Sequence, residues 1–345
     1  MIEIDGSKGE GGGQIVRSSL ALSAITGKPF TIDNVRAGRK KPGLKRQHLT
    51  CVKAAREICD AGVEGDELGS NRLVFHPGKI KVGDYEFKVG TAGSAPLVAQ
   101  TVLPALISVD GASTIAVEGG THNPMAPCYE YLSEVYLPLV ARMGPSFRCE
   151  LISHGFYPAG GGRFEIAVEP NKKWKGIQLL DRDKKYKPTV TAIVSGLPVD
   201  IGERECDTIR RKMDWKAKDC SVREASNPRG PGNAVLIKID TGDVCELFVG
   251  LGSPGVRAEQ VARSVLKKAK AYIGFEGVPV GLHLADQIML PMGLAAIDGQ
   301  TSSFKTWPLT EHSLTHKKIL ELFLDVRIDI EEGNPATTVT IGPAG

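Results

Sequence analysis

The feature that most constrains this 345-residue chain is an order of elements that returns along it. Alternation over 2–5 reads as a strand; the turn Gly9-Glu-Gly-Gly-Gly-Gln14 and a helix over 15–25 follow, closed by Gly27 and Pro29. A strand over 30–35, a helix over 44–59 and two short strands at 71–75 and 79–82 complete the unit. The same order comes back with strand 85–89, a Gly-Thr-Ala-Gly-Ser turn, helix 96–107, strand 113–118, helix 128–142 and strands 147–153 and 162–168. A third copy is expected to begin at Val278. Gln100-Thr-Val-Leu-Pro104 and Gln287-Ile-Met-Leu-Pro291 then occupy matching places. A period of about 80–90 residues points to related modules packed around one centre. The polar stretches 171–176 and 181–188 read as linkers, and 183–276 holds strands 189–194, 220–224, 234–239 and 245–250 with helices 200–213 and 256–273. The expected class is α/β (α+β): three β-α-β-α-β-β modules form a main domain over 1–182 and 277–345, and 183–276 is a smaller inserted α+β domain.

A net charge of +3 excludes a general polycation, so any nucleic-acid surface must come from local clustering. The seven cysteines are odd in number and lack CxxC spacing, which predicts a reducing, cytoplasmic location and no zinc site. No stretch is apolar for long enough to span a membrane, and no signal-peptide pattern opens the chain.

Four clusters carry chemistry. The turn at 9–14 exposes backbone N–H groups at a helix start, which suits an anion or equally a plain tight turn; Glu10 inside it is a candidate metal ligand. The run 36–48 contains Arg36, Arg39, Lys41 and Arg46 with no acid, a place for phosphates, most plausibly those of a nucleic acid, or a solvated face. His283-Leu-Ala-Asp-Gln287 offers a carboxylate, an amide and an imidazole to a cation or a base. The fourth cluster is a helix near the C-terminus, capped by Thr310, with Leu314, Ile319, Leu322 and Phe323 on one face. It places His312 in its first turn, where an imidazole that keeps its lone pair can attack an electrophile; a capping histidine is the bland alternative. The glycine-rich turn 154–162 is opaque to this reasoning.

Taken together and in order, Gly9-Glu-Gly-Gly-Gly-Gln-Ile-Val-Arg17-Ser, Arg36-Ala-Gly-Arg39, Lys41-Pro-Gly-Leu, Arg46-Gln47-His48-Leu-Thr, His154-Gly-Phe-Tyr-Pro-Ala-Gly-Gly-Gly, Leu284-Ala-Asp-Gln287 and His312-Ser-Leu-Thr resemble the RNA 3′-terminal phosphate cyclase family. The resemblance implies that His312 attacks the α-phosphorus of ATP, that AMP passes to an RNA 3′-phosphate, and that the 2′-hydroxyl closes a 2′,3′-cyclic phosphate. It implies His312, Arg39, Arg36 and Arg17 as catalytic residues. ATP would be bound by Gln100, Pro127, His283, Leu284, Ala285, Asp286 and Gln287, and RNA phosphates by Gln47, His48, Lys41 and Arg46. Glu10 and Asp286 would hold Mg²⁺ or Mn²⁺. Where the family is expected to carry Tyr and Asn, this chain has His283 and His316. The rival expectations are a non-catalytic cyclase-like ribosome-assembly or RNA-binding factor and, from the modular fold, an enolpyruvyl-transferase-like enzyme. Oligomeric state and the job of the insert stay open.

Overall fold

A computed structural model describes residues 1–170, 173–225 and 227–345; Asn171 and Lys172, which open the first expected linker, lie outside the described residues. The chain begins with β1 (Ile2–Asp5), α1 (Gly13–Thr26), β2 (Phe30–Asp33), α2 (Arg46–Cys59), β3 (Gly62–Glu64) and β4 (Leu73–His76). It continues with β5 (Asp84–Lys88), α3 (Ala95–Leu106), β6 (Ser113–Gly119), α4 (Tyr129–Tyr131), a π-helical turn (Leu132–Tyr136), α5 (Leu137–Ala141), β7 (Ser146–Ser153) and β8 (Gly162–Glu169). After β9 (Gln178–Leu179) come β10 (Lys187–Ser195), α6 (Asp200–Met213), β11 (Cys220–Glu224), β12 (Gly232–Asp240), β13 (Cys245–Leu251) and α7 (Ala258–Gly274). The last elements are α8 (Leu282–Ile297), β14 (Ser302–Thr306), α9 (Glu311–Phe323), β15 (Val326–Glu332) and β16 (Thr337–Pro343).

The result is a mixed α/β protein of small mixed sheets and helices. Three sheets run β1-β2-β4-β3, β5-β6-β8-β7 and β9-β14-β16-β15; in each the first two strands are parallel and the remaining pairings antiparallel. The fourth, β11-β10-β12-β13, has its own apolar core with α6 and α7, built on Val190, Ile209, Val235, Ile237 and Val265.

The structure corrects three expectations. The strand expected over 79–82 is irregular: Lys81 N donates to Ile58 O at the end of α2, so that backbone group is engaged with a helix rather than a sheet. The third sheet does not start at Val278, which makes only an isolated bridge at Val280; its first strand is β9, too short to show any periodicity, and it lies ahead of 187–274. The helix expected over 128–142 is interrupted by the π turn.

The helices of the first and third sheets meet in the middle. α1 packs on α2, α3 and α9, which is why Gln14, Ile15, Val16, Ser18, Ser19, Leu20, Ala21, Leu22, Ser23 and Ala24 are all buried along it. On α9 the inward face is not the all-apolar stripe expected: Leu322 is exposed, Thr315 and His316 are buried because they meet the glycine-rich turn and α8 instead of an aliphatic core, and Ser313 is buried against the Thr310 cap. Phe323 closes that face, edge-to-face with Phe30 at a centroid separation of 6.0 Å; Phe30 in turn stacks on Phe75 with centroids 5.6 Å apart. Truncating such a ring removes its transfer energy and leaves a cavity. Phe323→Ala is expected to cost about 3–5 kcal/mol, seen as a lower urea midpoint; a midpoint equal to that of the unmodified chain would show that the α9 contact is dispensable.

Candidate active site

The turn ahead of α1 is fastened to α9 by Glu10 N donating to Thr315 Oγ1 at 2.9 Å. Glu10 then turns its carboxylate inward, where its side chain is 2% exposed. Its Oε1 accepts from Gln14 N at 3.2 Å, and its Oε2 accepts from Arg39 Nη2 at 2.7 Å. A Cβ at Gly12 would overlap both partners of that ion pair, and one at Gly13 would overlap the His48 ring. The glycines are therefore needed for close approach as much as for turning.

Gln14 occupies the centre. Its Nε2 donates to Asp286 Oδ2 at 2.8 Å, so its Oε1 faces His312 Nδ1 at 3.0 Å. An amide oxygen only accepts, so Nδ1 carries the proton of this bond, and in the neutral ring the lone pair therefore lies on Nε2. His312 is half exposed, stands in the first turn of α9 behind the Thr310 cap, and has Glu10 Oε2 3.9 Å from its Nδ1. Burial pushes Asp286 up to about 7, against the pull of the Arg17 guanidinium and the Gln14 bond. Burial lowers Arg17 from its ordinary value, while Glu10 and Asp286 oppose this.

Gln14, Arg17 and His312 border a cavity of about 600 Å³, shared with Gln100, Pro127, His283, Asp286, Gln287 and His316. The matching glutamines meet inside it, Gln100 Nε2 donating to Gln287 Oε1 at 2.6 Å. Leu247, Phe248, Val249, Leu251 and Lys268, from β13 and α7, form another wall. The Asn123-to-Pro127 loop covers one side, with Met125 96% exposed at its tip. Burial, then Lys268 and His312, lower His283.

On the other side of the turn lies a basic rim. Arg39 reaches Glu10, whereas Arg36 Nη1 donates to Lys41 O at 3.1 Å and Gly43 O at 2.7 Å, bracing its own loop. Gln47 Oε1 accepts from Ser94 N at the start of α3. Lys41 and Arg46 are exposed on this rim. His48 is buried, and burial followed by Arg17, Arg36 and Lys45 brings it down to about 3. Leu284 and Ala285 do not reach the cavity; both pack in the core behind it.

A model of RNA 3′-terminal phosphate cyclases matches residues 8–330. The chain belongs to the RNA 3′-terminal phosphate cyclase family. Among curated relatives of that name, one from Salmonella paratyphi C (strain RKS4594) is 46% identical over 341 residues, covering 99% of this chain and 97% of its own. Another, from Koribacter versatilis (strain Ellin345), is 43% identical over 341 residues, with 99% and 95% covered. A solved structure, the enolpyruvyl transferase NikO from Streptomyces tendae, aligns at a TM-score of 0.40 and 11% identity over 98% of this chain and 48% of that one, too distant to carry an argument.

Sequence reasoning about this cyclase-family chain missed Gln14 as a bridge, although it closes the first motif. It also missed the buried trio His122, Cys128 and Glu130 under the Asn123-to-Pro127 loop, the one three-ligand group among the described residues. There His122 Nε2 bonds Glu130 Oε2 at 2.8 Å. Burial raises Glu130, but His122 outweighs it and holds the carboxyl at about 2, so the pair serves as a clamp on the loop base. No helix among the described residues is long and apolar enough to cross a membrane.

His316, 4% exposed, donates from Nδ1 to Asp286 O at 2.6 Å, and burial lowers it to about 4. Both His48 and His316 are thus held neutral below the ordinary value of 6.5. The unfolded chain takes up protons first as pH falls, so their stabilisation is present above about 6.5 and is lost towards 4. His316→Asn is expected to remove about 3 kcal/mol of the acid-induced loss between about pH 7 and pH 4, read from urea unfolding at both; an unchanged difference would show that His316 titrates normally.

Proposed function

We propose that the protein converts an RNA 3′-terminal phosphate to a 2′,3′-cyclic phosphate at the expense of ATP, through His312. The observation that carries this is the Gln14 amide, which fixes the proton on Nδ1 and leaves His312 Nε2 free at the junction of a nucleoside-sized cavity and a basic rim. Nε2 attacks the α-phosphorus of ATP, the bond to the β-phosphate oxygen breaks, and pyrophosphate leaves. An oxygen of the RNA 3′-phosphate then attacks the same phosphorus and the imidazole departs, giving RNA-(3′)pp(5′)A. Finally the 2′-hydroxyl attacks the 3′-phosphorus, losing its proton as AMP leaves. This last step is intramolecular, which restricts the substrate to RNA.

Adenosine fits between Pro127 and His283, with Gln100, Asp286 and Gln287 at its edges and Leu284 and Ala285 supporting α8 from behind. Arg17 and Arg39 face the charge that develops on the phosphoryl oxygens, Arg36 braces the loop, and Gln47, His48, Lys41 and Arg46 line the approach of the RNA end. Glu10 and Asp286 flank Gln14 with hard oxygen donors, and a buried carboxyl raised to about 7 is one that a cation would favour ionised. That donor set fits Mg²⁺ or Mn²⁺, which would neutralise phosphate charge there.

The identical strand order of three sheets supports three copies of one β-α-β-α-β-β module over 1–182 and 277–345. A separate core supports 183–276 as an inserted domain lying between the first strand and first helix of the third copy. Seven free cysteines fit the reducing cytoplasm.

Incubation with α-labelled ATP tests the proposal: label is expected to stay on denatured protein, to be acid-labile, and to vanish in His312→Ala. Absence of label from the unmodified protein would favour the non-catalytic relative. Gln14→Leu is expected to slow labelling roughly 10²-fold without unfolding the chain; an unaltered rate would show that the ring needs no partner at Nδ1. Arg39→Ala is expected to weaken both labelling and RNA use, and normal rates for both would remove it from the site.

A further inference from the structure

The glycine-rich turn at 154–161, between β7 and β8, takes no part in the scheme above. Its residues divide sharply. His154 and Phe156 point inward: their rings lie 5.4 and 5.0 Å from His122, and His154 stacks on Phe156. Tyr157, the next residue, points outward and is 67% exposed.

The turn is fastened on every side. Thr121 N and His122 N both donate to Gly155 O, at 2.8 and 3.0 Å, and Gly160 N closes the turn on Phe156 O at 2.7 Å. Gly160 and Gly161 have φ of 66° and 71°, and a Cβ on Gly160 would meet the backbone of Ala92. Such a scaffold fixes the base of an exposed aromatic ring. An exposed ring on a base braced in this way is preorganised to stack on a flat ligand.

Position says which ligand. Ala92 belongs to the turn that starts α3, and Ser94 in that turn is bonded to Gln47 of the basic rim. His48, next in sequence, lies against Gly13 and Arg17 beside the catalytic centre. A chain of contacts therefore links the catalytic centre to this turn, from Arg17 and His48 beside Gly13, through Gln47 and its bond to Ser94, to Ala92 under Gly160. Beside the tip, the Arg229 side chain lies over Gly161, and its Nη1 reaches Glu118 at 3.1 Å. Aromatic faces flanked by cations hold unpaired bases, whatever their identity.

We propose that Tyr157 is a stacking platform for a base of single-stranded RNA a few nucleotides from the 3′ end, which aligns that end with the catalytic rim. This rests on the cyclase reading and extends it: the enzyme would recognise an unpaired tail and not the terminal phosphate alone.

The test uses the full chain and short 3′-phosphorylated oligoribonucleotides carrying 2-aminopurine at successive positions from the end. The expected result is fluorescence quenching at one position with the unmodified protein and none with Tyr157→Ala. The KM for RNA should rise about tenfold in Tyr157→Ala, with kcat and ATP-dependent labelling unchanged, and Tyr157→Trp should restore it. A dinucleotide too short to reach the platform should show no difference between the variants. Retained quenching with a KM within twofold in Tyr157→Ala would overturn the proposal and leave the tip to a protein partner. Failure of His312-dependent labelling would instead remove the cyclase reading, so the two outcomes separate.

Discussion

One amide holds the site together. Gln14 joins α1 to both α8 and α9 by donating to Asp286 and accepting from His312. Because an amide has a distinct donor end and acceptor end, the carboxylate at one end decides which atom faces the imidazole at the other. The tautomer of His312 is thus set from α8, and helix packing is what makes the setting reliable. α1 is buried along most of its length, so Gln14 has little freedom to choose another partner. Removing water from this point has a cost, visible in the raised carboxyl of Asp286 and the lowered Arg17. Opposite charges nearby offset it.

Much of this was legible in the chain, and the parts that were not share a cause. The cap at Thr310 and the glycines at 9–13 each have local chemistry, so short stretches disclosed them. β9 stayed hidden because two residues have no period, and the strand expected at 79–82 failed because Lys81 found a helix carbonyl instead. Gln14 illustrates the harder limit: its residue type and place in the motif were plain, but its partners lie 272 and 298 positions away. Nor could sequence say that Leu284 and Ala285 face the core while their neighbours His283 and Asp286 face the cavity. Helical phase decides that, and both faces of α8 are apolar enough to leave the phase ambiguous.

The stretch between β9 and α8 is bound to its surroundings. Glu246 of β13 accepts from Gly281 N at 2.7 Å, just where α8 begins, and Lys238 bonds Glu134 in the π turn. Burial raises Glu246 to about 8, so near neutrality its proton helps it lie in an apolar junction. The cavity wall made by Phe248 and Lys268 is therefore registered to the helix that carries Asp286.

The same placement bears on how the chain assembles as it is made. β9 pairs with β14 across a separation of about 125 residues, with α6, α7 and their sheet emerging in between. During synthesis the first strand of the third sheet must wait, edge open, until everything up to Thr306 has left the ribosome. An early-folding neighbour that brings its two ends together shortens the effective loop and lowers the entropy of closing it. On this view the middle of the chain acts as a built-in clasp for a split sheet, in addition to lending a wall to the cavity beside His312.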